Sequence, residues 1–212
     1  MRVCEIFSSI QGESTFAGSP CAFVRLTGCN LRCTYCDTAY AYEEGREMET
    51  EEVIDAIAAS GLTLVEITGG EPLMQSDSVS GLTSLLLDRG YRVLIETNGS
   101  LPIGDLDRRA VVILDIKTPS SGMSARMDLG NLRHVKAADE VKFVMSCRHD
   151  YEWSREMLMR YGLPDTCTVL FSPVWGALEP RQLGEWIIAD RLPVRLNLQL
   201  HKYLYGPNER GV

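Results

Sequence analysis

Phe23-Val24-Arg25-Leu26 runs directly into Thr27-Gly28-Cys29-Asn30-Leu31-Arg32-Cys33-Thr34-Tyr35-Cys36. The apolar run from Cys21 to Leu26 reads as a β-strand, and the glycine just beyond it as the strand's end. Three thiols, Cys29, Cys33 and Cys36, then fall within eight residues. Soft sulfur ligands this close together suit an iron–sulfur cluster. Zinc is the competing metal, but structural zinc takes four ligands, usually two and two. There is no second Cys-x2-Cys, and His134, His149 and His201 are scattered. A three-thiol centre leaves one position open, which is useful only where something binds there.

Similar short apolar runs follow at Leu64 to Ile67, Val93 to Ile95, Val111 to Leu114, Val141 to Val144, Thr168 to Phe171 and Val194 to Leu198. Between them lie helical patterns. Thr50 is placed to cap a helix with Glu51 and Glu52 in its first turn and Val53, Ile54 and Ile57 on its apolar face. Leu82 to Arg89 ends at Gly90, and Asp150 to Tyr161 ends at Gly162 and Pro164. Pro180 opens a fourth helix carrying Trp186, Ile187 and Ile188. This alternation predicts an α/β fold with a mostly parallel sheet, buried on both faces where Val111 to Leu114 is continuously apolar. An open sheet and a closed or partial barrel are not separated by the pattern. In both, ligands gather at the carboxyl ends of the strands. Those ends read Thr27-Gly28-Cys29, Thr68-Gly69-Gly70-Glu71-Pro72, Glu96-Thr97-Asn98-Gly99 and Asp115-Ile116-Lys117. One such end is ordinary turn chemistry; four in succession describe a site along one rim.

The chain has 212 residues, 45% hydrophobic and 24% charged, with a formal net charge of −8. That suits a single domain over residues 1–212 and excludes a disordered or collagen-like chain. No apolar run approaches the roughly 20 residues of a membrane helix, and the N-terminus has no signal-peptide core. The acidic balance argues against a direct nucleic-acid partner. Seven cysteines without an export signal predict reduced thiols and a cytoplasmic protein. Cys4, Cys21, Cys147 and Cys167, outside the loop, are expected as core thiols. The run from Glu43 to Glu47 reads as a solvated loop.

Cys-x3-Cys-x2-Cys after a strand, with Tyr35 before the last cysteine, resembles the radical S-adenosylmethionine (SAM) superfamily. The resemblance implies a partial (β/α) TIM-like barrel. It also implies a [4Fe-4S] cluster on Cys29, Cys33 and Cys36 whose open iron binds SAM. Gly69-Gly70-Glu71-Pro72 is similar to that superfamily's Gly-Gly-Glu turn. A narrower resemblance, to the 7-carboxy-7-deazaguanine synthase family, rests on Ile6-Phe7-Ser8-Ser9-Ile10-Gln11-Gly12-Glu13-Ser14. It is supported by Phe23 to Leu26, Cys36-Asp37-Thr38, Glu96 to Gly99 and Gln199-Leu200-His201-Lys202-Tyr203. Glycyl-radical-enzyme activases share the cysteine spacing, but a protein substrate needs neither the Gln-Gly-Glu segment nor a carboxylate clamp.

The family resemblance implies a carbon–nitrogen lyase. It would convert 6-carboxy-5,6,7,8-tetrahydropterin to 7-carboxy-7-deazaguanine with loss of ammonia, using SAM catalytically and Mg²⁺ for the ring contraction. It implies SAM contacts at Tyr35, Cys36, Asp37, Gly70, Glu96, Asp115, Ile116 and Lys117. Here Asp115-Ile116-Lys117 departs from the Ser-Pro-Lys of some members. It implies substrate contacts at Ile10, Gln11, Gly12, Glu13, Arg25, Thr68, Gln199 and His201, the last two from a C-terminal strand, and Thr38 as the Mg²⁺ ligand. Arg25 alone on an apolar strand is equally compatible with a structural ion pair; a guanidinium can also grip a carboxylate with two parallel bonds. A flavodoxin- or ferredoxin-type electron donor and a homodimer complete what the resemblance implies.

Overall fold

The computed structural model describes residues 1–212. Its strands are β1 (Arg2–Ile10), β2 (Pro20–Leu26), β3 (Arg46–Glu47), β4 (Leu64–Gly69), β5 (Arg92–Thr97), β6 (Val111–Lys117), β7 (Glu140–Met145), β8 (Thr168–Pro173) and β9 (Arg195–Leu196). Its helices are α1 (Thr50–Ser60), α2 (Ser76–Asp88), α3 (Arg148–Tyr161), α4 (Pro180–Asp190) and α5 (Leu200–Tyr205). One sheet takes all nine strands in the order β3-β1-β2-β4-β5-β6-β7-β8-β9. From β2 to β9 every pairing is parallel; β1 runs antiparallel to both β2 and β3. The order has two free edges, which decides the point the sequence pattern left open: the barrel is partial.

Successive side chains on a strand face opposite ways, and this sheet uses the two faces differently. Val24, Leu26, Val65, Ile67, Ile95, Val112, Leu114, Val141 and Phe143 pack with Val53, Ile57, Val79, Leu82, Tyr151, Leu158 and Leu183 of the four longer helices. Leu26, Ile67, Ile95 and Leu114 are completely buried, each contributing roughly 1.5–3 kcal/mol. On the other, inner face, Cys21, Phe23, Leu64, Leu94, Val111 and Ile113 form a smaller apolar floor with Phe7 and Phe16. Above that floor, the same alternation puts Arg25, Thr68, Glu96, Asp115, Lys117 and Lys142 on the inner face.

Several boundaries differ from the sequence reading. The cap of α1 is Glu49, in a capping box with Glu52, so Thr50 is the first helical residue. Helix α2 begins at Ser76: its polar, glycine-containing first turns hide the start, but Val79 is fully buried and anchors them. Strand β9 shrinks to two exposed residues. Arg46 and Glu47, read as loop, pair with β1 as β3. β1 itself carries no apolar signature because its inner-face positions include Glu5 and Ser9. Cys21 and Cys167 are buried as expected, whereas Cys4 and Cys147 are only half-buried.

Candidate active site

The cysteine loop leaves the carboxyl end of β2 and is tied to three neighbouring strand ends. Asn30 Nδ2 donates to Ser100 Oγ (2.8 Å) and accepts at Oδ1 from Asn98 Nδ2 (3.1 Å) beyond β5. Thr34 donates through N and Oγ1 to the carbonyls of Ser121 and Ser120 beyond β6. The Tyr35 hydroxyl donates to the Val144 carbonyl on β7 (3.1 Å). Leu31, 1% exposed, pins the loop to the core. The loop therefore meets a ligand already ordered, and the entropy of fixing it is paid by folding.

Cys29, Cys33 and Cys36 are free and half-buried. Burial pushes the Cys29 and Cys33 thiols up, so iron must displace protons to bind. The Leu31 N–H points at Cys29 Sγ (3.4 Å) and Asn98 Nδ2 lies 3.8 Å from it. No three His, Cys, Asp or Glu side chains converge on a point that a single ion would fill. Three separate soft ligands on one fixed loop, with N–H groups aimed at sulfur, fit an iron–sulfur cluster.

The Gly-Gly-Glu turn packs directly under that loop. Gly69 has φ +148°, and a Cβ on Gly70 would lie 2.0 Å from the Gly28 carbonyl oxygen and 2.8 Å from Cys29 Cβ. The glycines thus serve the contact between two loops as well as any ligand. Glu71 is completely buried and accepts from Leu73 N, Thr97 Oγ1 and Asn98 N. It locks the turn to β5. Gly70→Ala is therefore expected to push the cysteine loop outward and to cut iron bound after reconstitution at least ~10-fold, on the scale of lost supporting contacts in metal sites. Full iron content in a folded Gly70→Ala protein would contradict this packing argument.

On the inner face the charged side chains are interlinked. Lys142, 3% exposed, reaches Glu13 Oε2 (2.6 Å), Glu96 Oε1 and Asp115 Oδ2 (3.5 Å). Lys117 bonds the same Asp115 oxygen at 2.9 Å. Asp115 Oδ1 is buried without a partner, an acceptor that a ligand hydroxyl or ammonium would satisfy. This fits SAM, which carries both. Thr68 donates to Glu96 Oε2 (3.2 Å). Burial opposes charge on Glu13, but the charge and hydrogen bond of Lys142, with the bond from Gln199, hold it at about 2. Burial and the neighbouring Glu96 push Glu66 well above the carboxylate range, and Gln11 Nε2 bonds its Oε2.

Residues 11–19 cross the inner face from the end of β1 and plug it. Thr15 donates to Glu140 on β7, and Arg92 lies 4.4 Å over the Phe16 ring. The C-terminal segment closes the plug from outside. Leu200 N donates to the Gly12 carbonyl (2.8 Å), and a Cβ on Gly12 would strike His201 Nδ1 at 2.1 Å. Gln199 Nε2 bonds Glu13 Oε1 (2.9 Å), and Lys202 Nζ bonds Asp37 Oδ2 (2.6 Å). Gln199 and His201 reach the site from the start of α5 rather than from a strand.

Most of the expected residues meet here, and the structure narrows what three of them can offer. Ile116 is completely buried in the helix-side core, so only its backbone can face a ligand. Ile10 lies on the face of Ile6, opposite Glu5 and Phe7, because side chains alternate; it too offers backbone. Arg25 donates from Nε to Glu5 Oε1 (2.7 Å) beneath Tyr40, whose hydroxyl bonds the same oxygen. The structural ion pair therefore exists, but it uses only the Nε edge: neither Nη group has a partner. Thr38 is half-buried and donates to Asp37 Oδ1 (3.0 Å). Lys142, Glu66 and Lys202 were not singled out from the sequence. The first two carry the signal that marked Arg25, a charge inside an apolar strand.

A parallel sheet with helices outside, a thiol loop after its first parallel strand and a polar inner face defines a radical SAM fold. The Radical SAM superfamily model matches residues 23–124. The chain is 47% identical to the 7-carboxy-7-deazaguanine synthase of Chlorobaculum tepidum, over 100% of this chain and 97% of that one. It is 41% identical to the enzyme of that name from Koribacter versatilis, over 100% of both. The crystal structure of QueE from Escherichia coli superimposes with a TM-score of 0.79, at 26% identity and covering 94% of each chain. The chain belongs to the 7-carboxy-7-deazaguanine synthase family, and membership of the radical SAM superfamily implies a [4Fe-4S] cluster and SAM as its cofactors.

Proposed function

We propose that the chain is a single radical SAM domain that converts 6-carboxy-5,6,7,8-tetrahydropterin to 7-carboxy-7-deazaguanine with loss of ammonia. The observation that carries the reading is the juxtaposition, on one sheet face, of the thiol loop with an arginine fork and a set of carboxylates. When bound, the cluster and SAM supply the radical chemistry that removes a substrate hydrogen. The chain's own side chains bind, orient and exclude water. Cys29, Cys33 and Cys36 hold the cluster. Tyr35, Cys36, Asp37, Gly70, Glu96, Asp115 and Lys117, with the Ile116 backbone, receive SAM.

The free Nη groups of Arg25 receive the substrate carboxylate. The pterin's guanidine-like N–H edge fits the ionised Glu13, with Gln11 and Thr68 beside it. The backbones of Ile10 and Gly12 line the same pocket, and Gln199 and His201 cover it. Thr38 supplies the protein ligand to Mg²⁺, which keeps most of its ligands from water and substrate. Thr38→Ala is expected to shift half-maximal activation by Mg²⁺ at least ~10-fold upward; an unchanged titration would remove Thr38 from the metal. A flavodoxin or ferredoxin serves as electron donor to a cytoplasmic homodimer. Product formation by anaerobically reconstituted protein tests the reading.

A further inference from the structure

We infer that Lys142 is a positioning residue for the substrate: its ammonium, anchored by Glu96 and Asp115, holds the Glu13 carboxylate in place as a charged acceptor for the substrate's N–H edge. This rests on the substrate reading proposed above and extends it to a residue on β7 that binds no ligand itself. The geometry carries it. Lys142 is 3% exposed and sits between three carboxylates contributed by three separate pieces of chain. Glu13 comes from the loop after β1, Glu96 from β5 and Asp115 from β6. Asp115 has Lys117 as a second cation. Glu13 and Glu96 have no other cation in contact. Their remaining partners are neutral, Gln199 on Glu13 and Thr68 on Glu96.

Glu13 is largely desolvated, and a desolvated carboxylate that loses its cation shifts towards its protonated form. A protonated Glu13 would offer a donor where the substrate also offers donors. The other titratable groups near the cluster cannot take over. Glu66 adjoins Glu96 across the sheet and is held by Gln11. Glu140 is engaged by Thr15. The Arg25 guanidinium is bonded to Glu5, and burial pushes His201 below the usual imidazole value, so it brings little positive charge at neutral pH. Burial likewise opposes the Lys142 charge, but Glu13, Glu96 and Asp115 raise its ammonium well above the usual lysine range.

The test compares wild-type holoenzyme with Lys142→Met and Lys142→Arg, with iron and sulfide content as the check on folding. For Lys142→Met the KM for the carboxytetrahydropterin is expected to rise at least ~10-fold at neutral pH and to fall back towards wild type by about pH 9, as the released Glu13 carboxylate ionises. Lys142→Arg keeps the charge, and its KM at neutral pH should lie closer to wild type than that of Lys142→Met. A Lys142→Met KM equal to wild type, or raised by one factor at every pH, overturns the inference. Should Lys142→Met fail to load its cluster, the wild-type profile decides. A KM flat from about pH 5.5 to 8 supports a Glu13 held ionised, and an acid limb in that range overturns it. Wild-type turnover measured alongside keeps the two readings apart: no product from loaded wild type fails the substrate assignment, not the role of Lys142.

Discussion

Cys33→Ala protein, reconstituted anaerobically with iron and sulfide, is expected to hold no [4Fe-4S] cluster and to cleave no SAM. The thiol sits in a loop fixed at Asn30, Leu31, Thr34 and Tyr35, so no neighbouring group can swing in to replace it. Outside the loop, the half-buried Cys147 lies against Ser120 Oγ at 3.5 Å. Losing a residue that merely supports a metal ligand costs about 10–100-fold; losing a ligand from a set of three exceeds that, so SAM cleavage should fall to background. The fold should survive, because Cys33 is half-buried and lies outside both apolar clusters. A colourless Cys33→Ala protein with an unchanged melting temperature is the expected pair of results. Retained SAM cleavage would show that the three thiols are not the ligands.

The second large effect is expected at Arg25, and it separates from the first. Arg25→Ala should load iron normally and lose substrate. Its Nε is bonded to Glu5 at 2.7 Å while both Nη groups lack partners. Removing the side chain therefore abolishes the carboxylate grip and also leaves Glu5 without its cation. Truncating one member of a buried charge pair costs about 2–5 kcal/mol, so KM for the carboxylated pterin should rise on the order of 10²-fold or more. A pterin lacking the carboxylate should bind wild type and Arg25→Ala equally. Equal KM values for the carboxylated substrate in the two proteins would assign Arg25 to the Glu5–Tyr40 ion pair alone.

Much of this was legible before any coordinates. The parallel core followed from apolar runs separated by helical periods, since burial keeps β4 to β8 apolar except at the inner-face positions that build the site. The rim followed from the polar residues that end β2, β4, β5 and β6. What escaped depends on tertiary structure. Residues 11–19 look like a polar turn, yet they reach from the end of β1 to Glu140 on β7. No local pattern encodes a contact between residues so far apart. Ile116 stands between two site residues, but strand alternation turns its side chain to the opposite face. The short edge strands β3 and β9 are two residues each, too brief for any periodicity. Lys142 and Glu66 were detectable by the rule that marked Arg25. Their sequence neighbours are conventional strand residues, and their partners lie far along the chain.

The most direct measurement supplies reconstituted, cluster-loaded protein with SAM, Mg²⁺, a reductant and 6-carboxy-5,6,7,8-tetrahydropterin, and follows product by mass. The predicted result is 7-carboxy-7-deazaguanine with one equivalent of ammonia per turnover and no net loss of SAM. Loaded protein that cleaves SAM but yields no deazapurine would contradict it.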